Sequence, residues 1–271
     1  MQQSQARAGS VVALWRYPVK SMMGEELNAC EVTAEGVVGD RAYALIDTAN
    51  VKIGTAKVAH KWPDLLAFRP RFVSEPRAGE PPPPVRIAFP DGTTAVSGQL
   101  DIDERLSQRF GFEVSLSTQH PAGLRLDYIG TAEPDAPIQE LPVPPTGFYD
   151  LSPLHLLATG TVEHLRDLYP AGNFDTRRFR PNIVVETPAD EKGFLENAWV
   201  GKTLLIGDEV RIRVFAPMIR CVMTTLPQGD LPADAGILET AAQHNAANVG
   251  VAAAVERGGV VRMGDVVRVV G

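Results

Sequence analysis

Short runs of alternating apolar and polar residues, separated by proline and glycine, constrain this fold more than any other feature of the sequence. Six fall in the first hundred residues: SVVALWRYPV (10–19), LNACEVTA (27–34), RAYALIDT (41–48), FRPRFVSE (68–75), PVRIAFP (84–90) and TTAVSG (93–98). More follow later, as PNIVVET (181–187), TLLIGDEVRIRVFA (203–216), VGVAAAVER (249–257) and VVRMGDVVRVV (260–270). Alternation at period two marks strands with one face on a core. Helical spacing is rarer, in LDIDERLSQRFG (100–111), SPLHLLATGTVEHLRDLY (152–169) and GILETAAQHNAA (236–247). Gly111 is placed to cap the first of these. Ser152 and Pro153 suit an N-cap and first helical position, so the second helix is expected to run from there to about Tyr169. Strands and helices do not alternate regularly, which argues against a doubly wound sheet. The expected fold class is mostly β with α (α+β): an N-terminal β-barrel-like domain and a C-terminal β-barrel with peripheral helices.

Turn chemistry divides the chain. EPRAGEPPPP (75–84) is a proline-rich excursion between two strands, and PDGTT (90–94) reads as a hairpin turn. EPDAPIQELPVPPTG (133–147) is irregular and proline-rich. Two domains are therefore expected, residues 8–126 and 127–271, each able to bury a core. A long surface loop within one domain is the alternative.

Lys and Arg number 26 against 33 Asp and Glu, a net charge of −7 over 271 residues. That balance argues against a broad nucleic-acid or anionic-membrane surface, though not against a local basic pocket. No apolar run of about 18 residues is present to span a membrane, and the opening MQQSQARAGS lacks the apolar core of a signal peptide. Two cysteines make no disulfide framework, so a reducing cytoplasm is the expected setting.

One of those cysteines, Cys221, follows a strand in APMIRCVMTTLPQGD (216–230), directly after Arg220. A small buried hydrophobe is the ordinary role of such a residue. A thiolate beside a cation at a strand end also suits a nucleophile or a soft metal ligand. The histidines at 60, 120, 155, 164 and 244 form no Cys-His signature, and no C-x-x-C or H-x-x-x-H spacing supports zinc. A single-thiolate metal site, completed by ligands from a cofactor, remains. Cations recur at other turns: Lys20 with Ser21 in YPVKSMMG (17–24), Arg41 in GDRAY (39–43), and Arg180, two residues before Asn182, in DTRRFRPNIVV (175–185). Each alone reads as a solvated or paired charge. Together with a helix N-terminus at Ser152 they suggest one phosphorylated ligand with a thiolate at its far end.

In this order, YPVKSMMG, GDRAYALID, YDLSPLHLL, FRPNIVV, VGKTLLIGD, IRCVMTT and GGVVRMGDVVRV resemble MOSC-domain proteins with an N-terminal MOSC β-barrel domain, among them the mitochondrial amidoxime-reducing component and its bacterial counterparts. The resemblance implies a molybdenum cofactor, a pterin dithiolene ending in phosphate. Cys221 falls on the metal ligand. Lys20, Ser21, Arg41, Ser152, Arg180, Asn182 and Arg220 fall on cofactor contacts. It also implies reduction of N-hydroxylated or N-oxygenated substrates such as amidoximes and hydroxylamines. Two cysteines cannot hold a four-cysteine iron–sulfur cluster, so electrons are expected from a separate donor protein or a small donor. A cofactor carrier and a cysteine-persulfide sulfur-transfer protein are the alternatives. The chain departs from relatives near NVGVAAAV (248–255), where they carry aromatic residues, and His155 has no assigned part.

Overall fold

The alternating runs become strands. The computed structural model describes residues 6–128, 137–144 and 146–270. The first half holds β1 (Ala6–Arg16), β2 (Glu25–Leu27), β3 (Ala29–Thr33), β4 (Gly36–Val37), β5 (Ala44–Asp47), β6 (Lys52–Ile53), β7 (Arg69–Phe72), β8 (Val85–Ala88), β9 (Thr94–Val96), α1 (Ile102–Phe110), β10 (Val114–Ser117) and β11 (Arg125–Tyr128). Then come β12 (Gln139–Pro142), β13 (Leu154–Ala158), α2 (Thr159–Leu168), α3 (Thr176–Phe179), β14 (Ile183–Glu186), β15 (Thr203–Ile206), β16 (Val210–Ile219), α4 (Gly236–Asn245), β17 (Asn248–Arg257), β18 (Gly259–Arg262) and β19 (Val266–Val270). Gly111 ends α1 in the left-handed conformation (φ 79°), its N–H donating to the Ser107 carbonyl at 2.8 Å. β7 pairs with β8 across the proline-rich excursion, and β8 with β9 across the PDGTT turn. Residues 133–136 and 145 of the later proline-rich segment lie outside the described residues.

Seven strands close a barrel in the order β14-β13-β17-β16-β15-β19-β1, sealed by the pairing of β1 with β14. Closure leaves this sheet no free edge within the ring. Although β1 opens the first half of the chain, its neighbours come from the second: Ser10 faces Glu186 on one side and Val266 on the other. Residues 8–126 thus contribute a strand to a barrel built otherwise from 127–271. Exchange also runs the other way, since β18 pairs with β3. A separate five-stranded sheet, β10-β5-β6-β11-β12, takes four strands from the first half and β12 from the second. Period-two patterning shows in β16, where Val210, Ile212 and Val214 are buried while Arg211 and Arg213 are exposed. Inside the barrel they join Leu14, Ile183, Leu204 and Val251. Each such fully buried aliphatic side chain stabilises by about 1.5–3 kcal/mol. The first half instead packs an aromatic core, in which Phe110 and Phe112 meet Trp62 edge-on at 5.1 and 5.0 Å. Among the described residues, no helix is long and apolar enough to cross a membrane.

The helix expected from Ser152 is a correction. Leu154–Ala158 is a strand, and α2 begins only at Thr159. Leu156 pairs with Ile183 of β14, and Leu154 with Ala253 of β17. All five residues of β13 are buried: Leu154, Leu156 and Ala158 fill the barrel, while Leu157 meets α2 and α4 on the other face. A strand covered on both faces reads as a continuous apolar run, which spacing cannot tell from a buried helix. Ser152 caps no helix, so the anion site expected at a helix N-terminus there does not exist. Its hydroxyl lies 2.6 Å from the Leu154 carbonyl and 2.9 Å from that of Ala253, and accepts from the Ala253 N–H at 3.1 Å. Ser152 latches the start of β13 to β17.

Candidate functional site

Lys20, Ser21, Arg41, Ser152, Arg180, Asn182, Arg220 and Cys221 all line a single cavity of 270 Å³. It lies between the barrel and the five-stranded sheet, whose β11 adds Leu126 and Tyr128 to the wall. Most of these residues sit where strands begin or end, the places a rigid scaffold can aim a side chain. Lys20 and Ser21 follow β1, with the Lys20 N–H donating to the Tyr43 carbonyl at 2.9 Å. Arg41 precedes β5, its N–H donating to the Tyr17 carbonyl at 2.6 Å. Arg180 and Asn182 precede β14. Arg220 and Cys221 follow β16, anchored by the Arg220 N–H to the Ala247 carbonyl at 2.7 Å.

The wall is strongly cationic. Lys20 Nζ donates to the Phe148 carbonyl at 2.7 Å and pairs with Asp150, whose other oxygen pairs with Lys57 at 2.7 Å. Its partial desolvation at the cavity mouth would raise the Asp150 carboxyl, but the Lys20 and Lys57 ammoniums outweigh it and hold it far below the usual range. Burial pushes Lys20 down to about 8, only partly offset by Asp150. Lys57 goes the other way, because Asp150 and Cys221 outweigh its burial. Arg41 pairs with Asp40, and burial is again outweighed, so its guanidinium is raised. Arg41 and Arg180 both lie over the ring of Tyr17, at 4.7 and 4.1 Å, and the Tyr17 hydroxyl donates to the Pro181 carbonyl at 3.1 Å. Burial and the nearby Arg41 push Arg180 down to about 10. Arg220, lowered by burial, donates to the Phe179 carbonyl at 2.8 Å. Five cations face two carboxylates here, an excess of three positive charges in a chain of net charge −7.

Two further features set this wall apart from the rest of the fold. Arg180 Nη2 and Arg220 Nε are buried without a hydrogen-bond partner, an arrangement that costs about 1–3 kcal/mol for each group. Ser21 (φ 62°), Arg41 (φ 50°) and Arg180 (φ 52°) are also held left-handed, three of the seven non-glycine residues with positive φ among those described. Such strain runs to about 1 kcal/mol or more per residue and gathers where function over-determines the backbone. Cys221 is partly exposed at the same cavity. No three His, Cys, Asp or Glu side chains converge to hold a metal among the described residues, so a metal here would take one soft protein ligand and the rest from elsewhere.

The MOSC domain profile matches residues 145–268, and the MOSC N-terminal beta barrel domain profile residues 8–110. The chain belongs to the MOSC family. MOSC domains are associated with molybdenum cofactor binding, and an anionic cofactor with one protein thiolate ligand fits the unmet guanidinium donors and the lone Cys221. Among solved structures, the YUAD protein of Bacillus subtilis aligns over 99% of this chain and 97% of its own, at 9% identity and a TM-score of 0.46. YiiM of Geobacillus stearothermophilus covers 44% of this chain and 55% of its own at 15% identity, with a TM-score of 0.33. YiiM of Escherichia coli covers 54% and 69% at 16% identity, also with a TM-score of 0.33. No curated protein matches the chain.

Two of the eight residues in this MOSC protein have their polar atoms occupied by the barrel. Besides the Ser152 latch, the Asn182 side-chain oxygen accepts from the His155 N–H at 3.1 Å and its amide donates to the Trp15 carbonyl at 3.3 Å. Asn182 therefore ties β1, β13 and β14 together at the cavity wall. Lys57 and Asp150 went unnoticed in the sequence, since each is an ordinary charged residue until the fold brings them together. Tyr17 left a trace: a side chain at Gly24 would come within 2.6 Å of its ring, which explains the glycine of YPVKSMMG. His155 lies on the outer face of β13, its Nε2 3.2 Å from the Val249 carbonyl. Burial, with Arg220 nearby, pushes it well below 6.5 and keeps it neutral. A side chain at Gly250 (φ 84°) would strike that ring at 2.1 Å and the Leu156 carbonyl at 2.6 Å, so His155 and the neighbouring strand both require the glycine of NVGVAAAV.

Proposed function

We propose that this MOSC protein is a molybdenum cofactor-dependent oxidoreductase that reduces N-hydroxylated or N-oxygenated compounds. The observation that carries the reading is a cationic cavity with two unpartnered guanidinium donors and a single thiol. Cys221 would hold the metal, while Lys20, Arg41, Arg180 and Arg220, with the Ser21 hydroxyl, would hold the anionic remainder of the cofactor. When bound, the cofactor supplies a two-electron centre able to take oxygen from nitrogen. Ser152 and Asn182 fix the strand ends that carry this wall, and Asp150 keeps Lys20 and Lys57 from repelling one another. Tyr17 positions Arg41 and Arg180 through their shared ring contact.

The overall change takes two electrons and two protons per N–O bond and releases water. Two cysteines cannot build an ordinary iron–sulfur cluster, so in this reading the electrons reach the site from outside these 271 residues. Protein from a cofactor-competent host is expected to hold near-stoichiometric molybdenum and to reduce benzamidoxime with reduced viologen. Metal without turnover would make it a cofactor carrier. A sulfur adduct on Cys221 by intact mass spectrometry, with no metal, would make it a sulfur-transfer protein.

A further inference from the structure

Charge and exposure are separated around the cavity. The cations lie deep: Lys20, Lys57 and Arg180 are buried, and Arg41 and Arg220 are largely covered. The exposed members of the wall are Leu141, Pro142, Leu151, Ile219 and Asp150, whose carboxylate two lysines neutralise. Leu141 (37% exposed), Leu151 (48%) and Ile219 (57%) are three of the eight large hydrophobic side chains left strongly exposed among the described residues. They come from β12, the segment before β13 and the end of β16, so no single amphipathic element accounts for their meeting. Isolated exposed apolar residues need no explanation, but convergence from distant chain positions on one rim does.

We propose that Leu141, Leu151 and Ile219 form an apolar collar that selects substrates carrying an uncharged hydrocarbon body behind the N–O group. The inference rests on the reduction proposed above and names its substrate class. A small molecule is the occupant because the collar is part of the cavity wall itself. A hydrocarbon chain continuing outward from a head group inside would cover all three side chains and remove them from water. An anionic body would find no cation among the exposed rim residues.

The test compares octanamidoxime with acetamidoxime, which share the reacting group, under reduced viologen. In the wild type, KM is expected to be at least about tenfold lower for octanamidoxime, and Leu151→Ser/Ile219→Ser to bring the two within about twofold. Leu141→Ser alone should move the ratio part of the way. A wild-type ratio near one, or a ratio that survives the double substitution, overturns the collar. So does a double variant that keeps its ratio with viologen and loses turnover only with a protein donor, because the rim would then be a docking face. A second arm needs no turnover: cofactor-free protein is titrated by calorimetry with octyl phosphate and with methyl phosphate. Tighter binding of octyl phosphate, lost in the double variant, supports the collar even if neither amidoxime is reduced, in which case only the redox reading falls. Equal affinities for the two phosphates overturn the collar.

Discussion

On one face of β13, Leu154, Leu156 and Ala158 sit buried among the aliphatic side chains of the barrel. On the other, His155 borders a cavity whose wall holds five cations, three left-handed residues and two guanidinium donors without partners. The same strand thus separates a region where local preferences largely agree with the fold from one where several are violated. Violations of that kind are expected where selection acts on binding rather than on stability. The two faces should therefore respond oppositely to substitution.

The largest separation should come from Cys221→Ala and Leu156→Ala. Cys221→Ala is expected to bring bound molybdenum to background by elemental mass spectrometry, while stability stays within about 1 kcal/mol of wild type, as for most substitutions outside a packed core. Leu156→Ala should do the reverse, lowering urea-unfolding stability by about 3 kcal/mol and leaving metal per folded molecule unchanged. Loss of both properties in either variant would break the division.

Glu196 is the exception inside the packed region and sharpens the comparison. It is 1% exposed, its Oε1 accepts the Gly250 N–H at 2.9 Å, and its other oxygen contacts the Thr161 hydroxyl, which lies 2.9 Å from the Gly193 carbonyl. Burial pushes its pKa up to about 7 from 4.5. The folded protein therefore keeps a proton that the unfolded chain releases above about pH 4.5. Stability from this group is full below that pH, falls as pH rises toward about 7, and falls no further beyond it. Relative to Glu196→Gln, the wild type should lose about 2–3 kcal/mol between pH 4.5 and 7.5 in denaturant titrations. Parallel pH profiles for the two proteins would place the carboxyl in contact with water.

Ser21→Gly is the smallest and most pointed change. It relieves a left-handed residue at the cavity, so cofactor-free protein should gain about 0.5–1 kcal/mol while molybdenum retention falls. A stability loss would show that the Ser21 side chain supports the fold.

Much of this was legible in the residues. Period-two runs identified most strands, and Gly111 and PDGTT marked a cap and a hairpin, because each depends on chemistry within a few residues. β13 was not legible, since LHLLA is covered on both faces and carries no period. The cations at turns pointed to a shared anion site, and the eight expected residues do line one cavity. Lys57 and Asp150 could not be read, because their pairing spans 93 positions and leaves no local mark. Nor could the collar, which exists only where three separate loops and strands meet.

The closing of the barrel by β1 has a consequence for synthesis. β1 is made well before its partners at Glu186 and Val266, and non-local pairings of this kind form late and slowly. The cavity wall is divided in the same way, between residues 20–57 and 150–221. A chain made only as far as β11 therefore presents just part of that wall. Any ligand of the whole wall would meet the two segments already folded against each other, rather than the first of them alone.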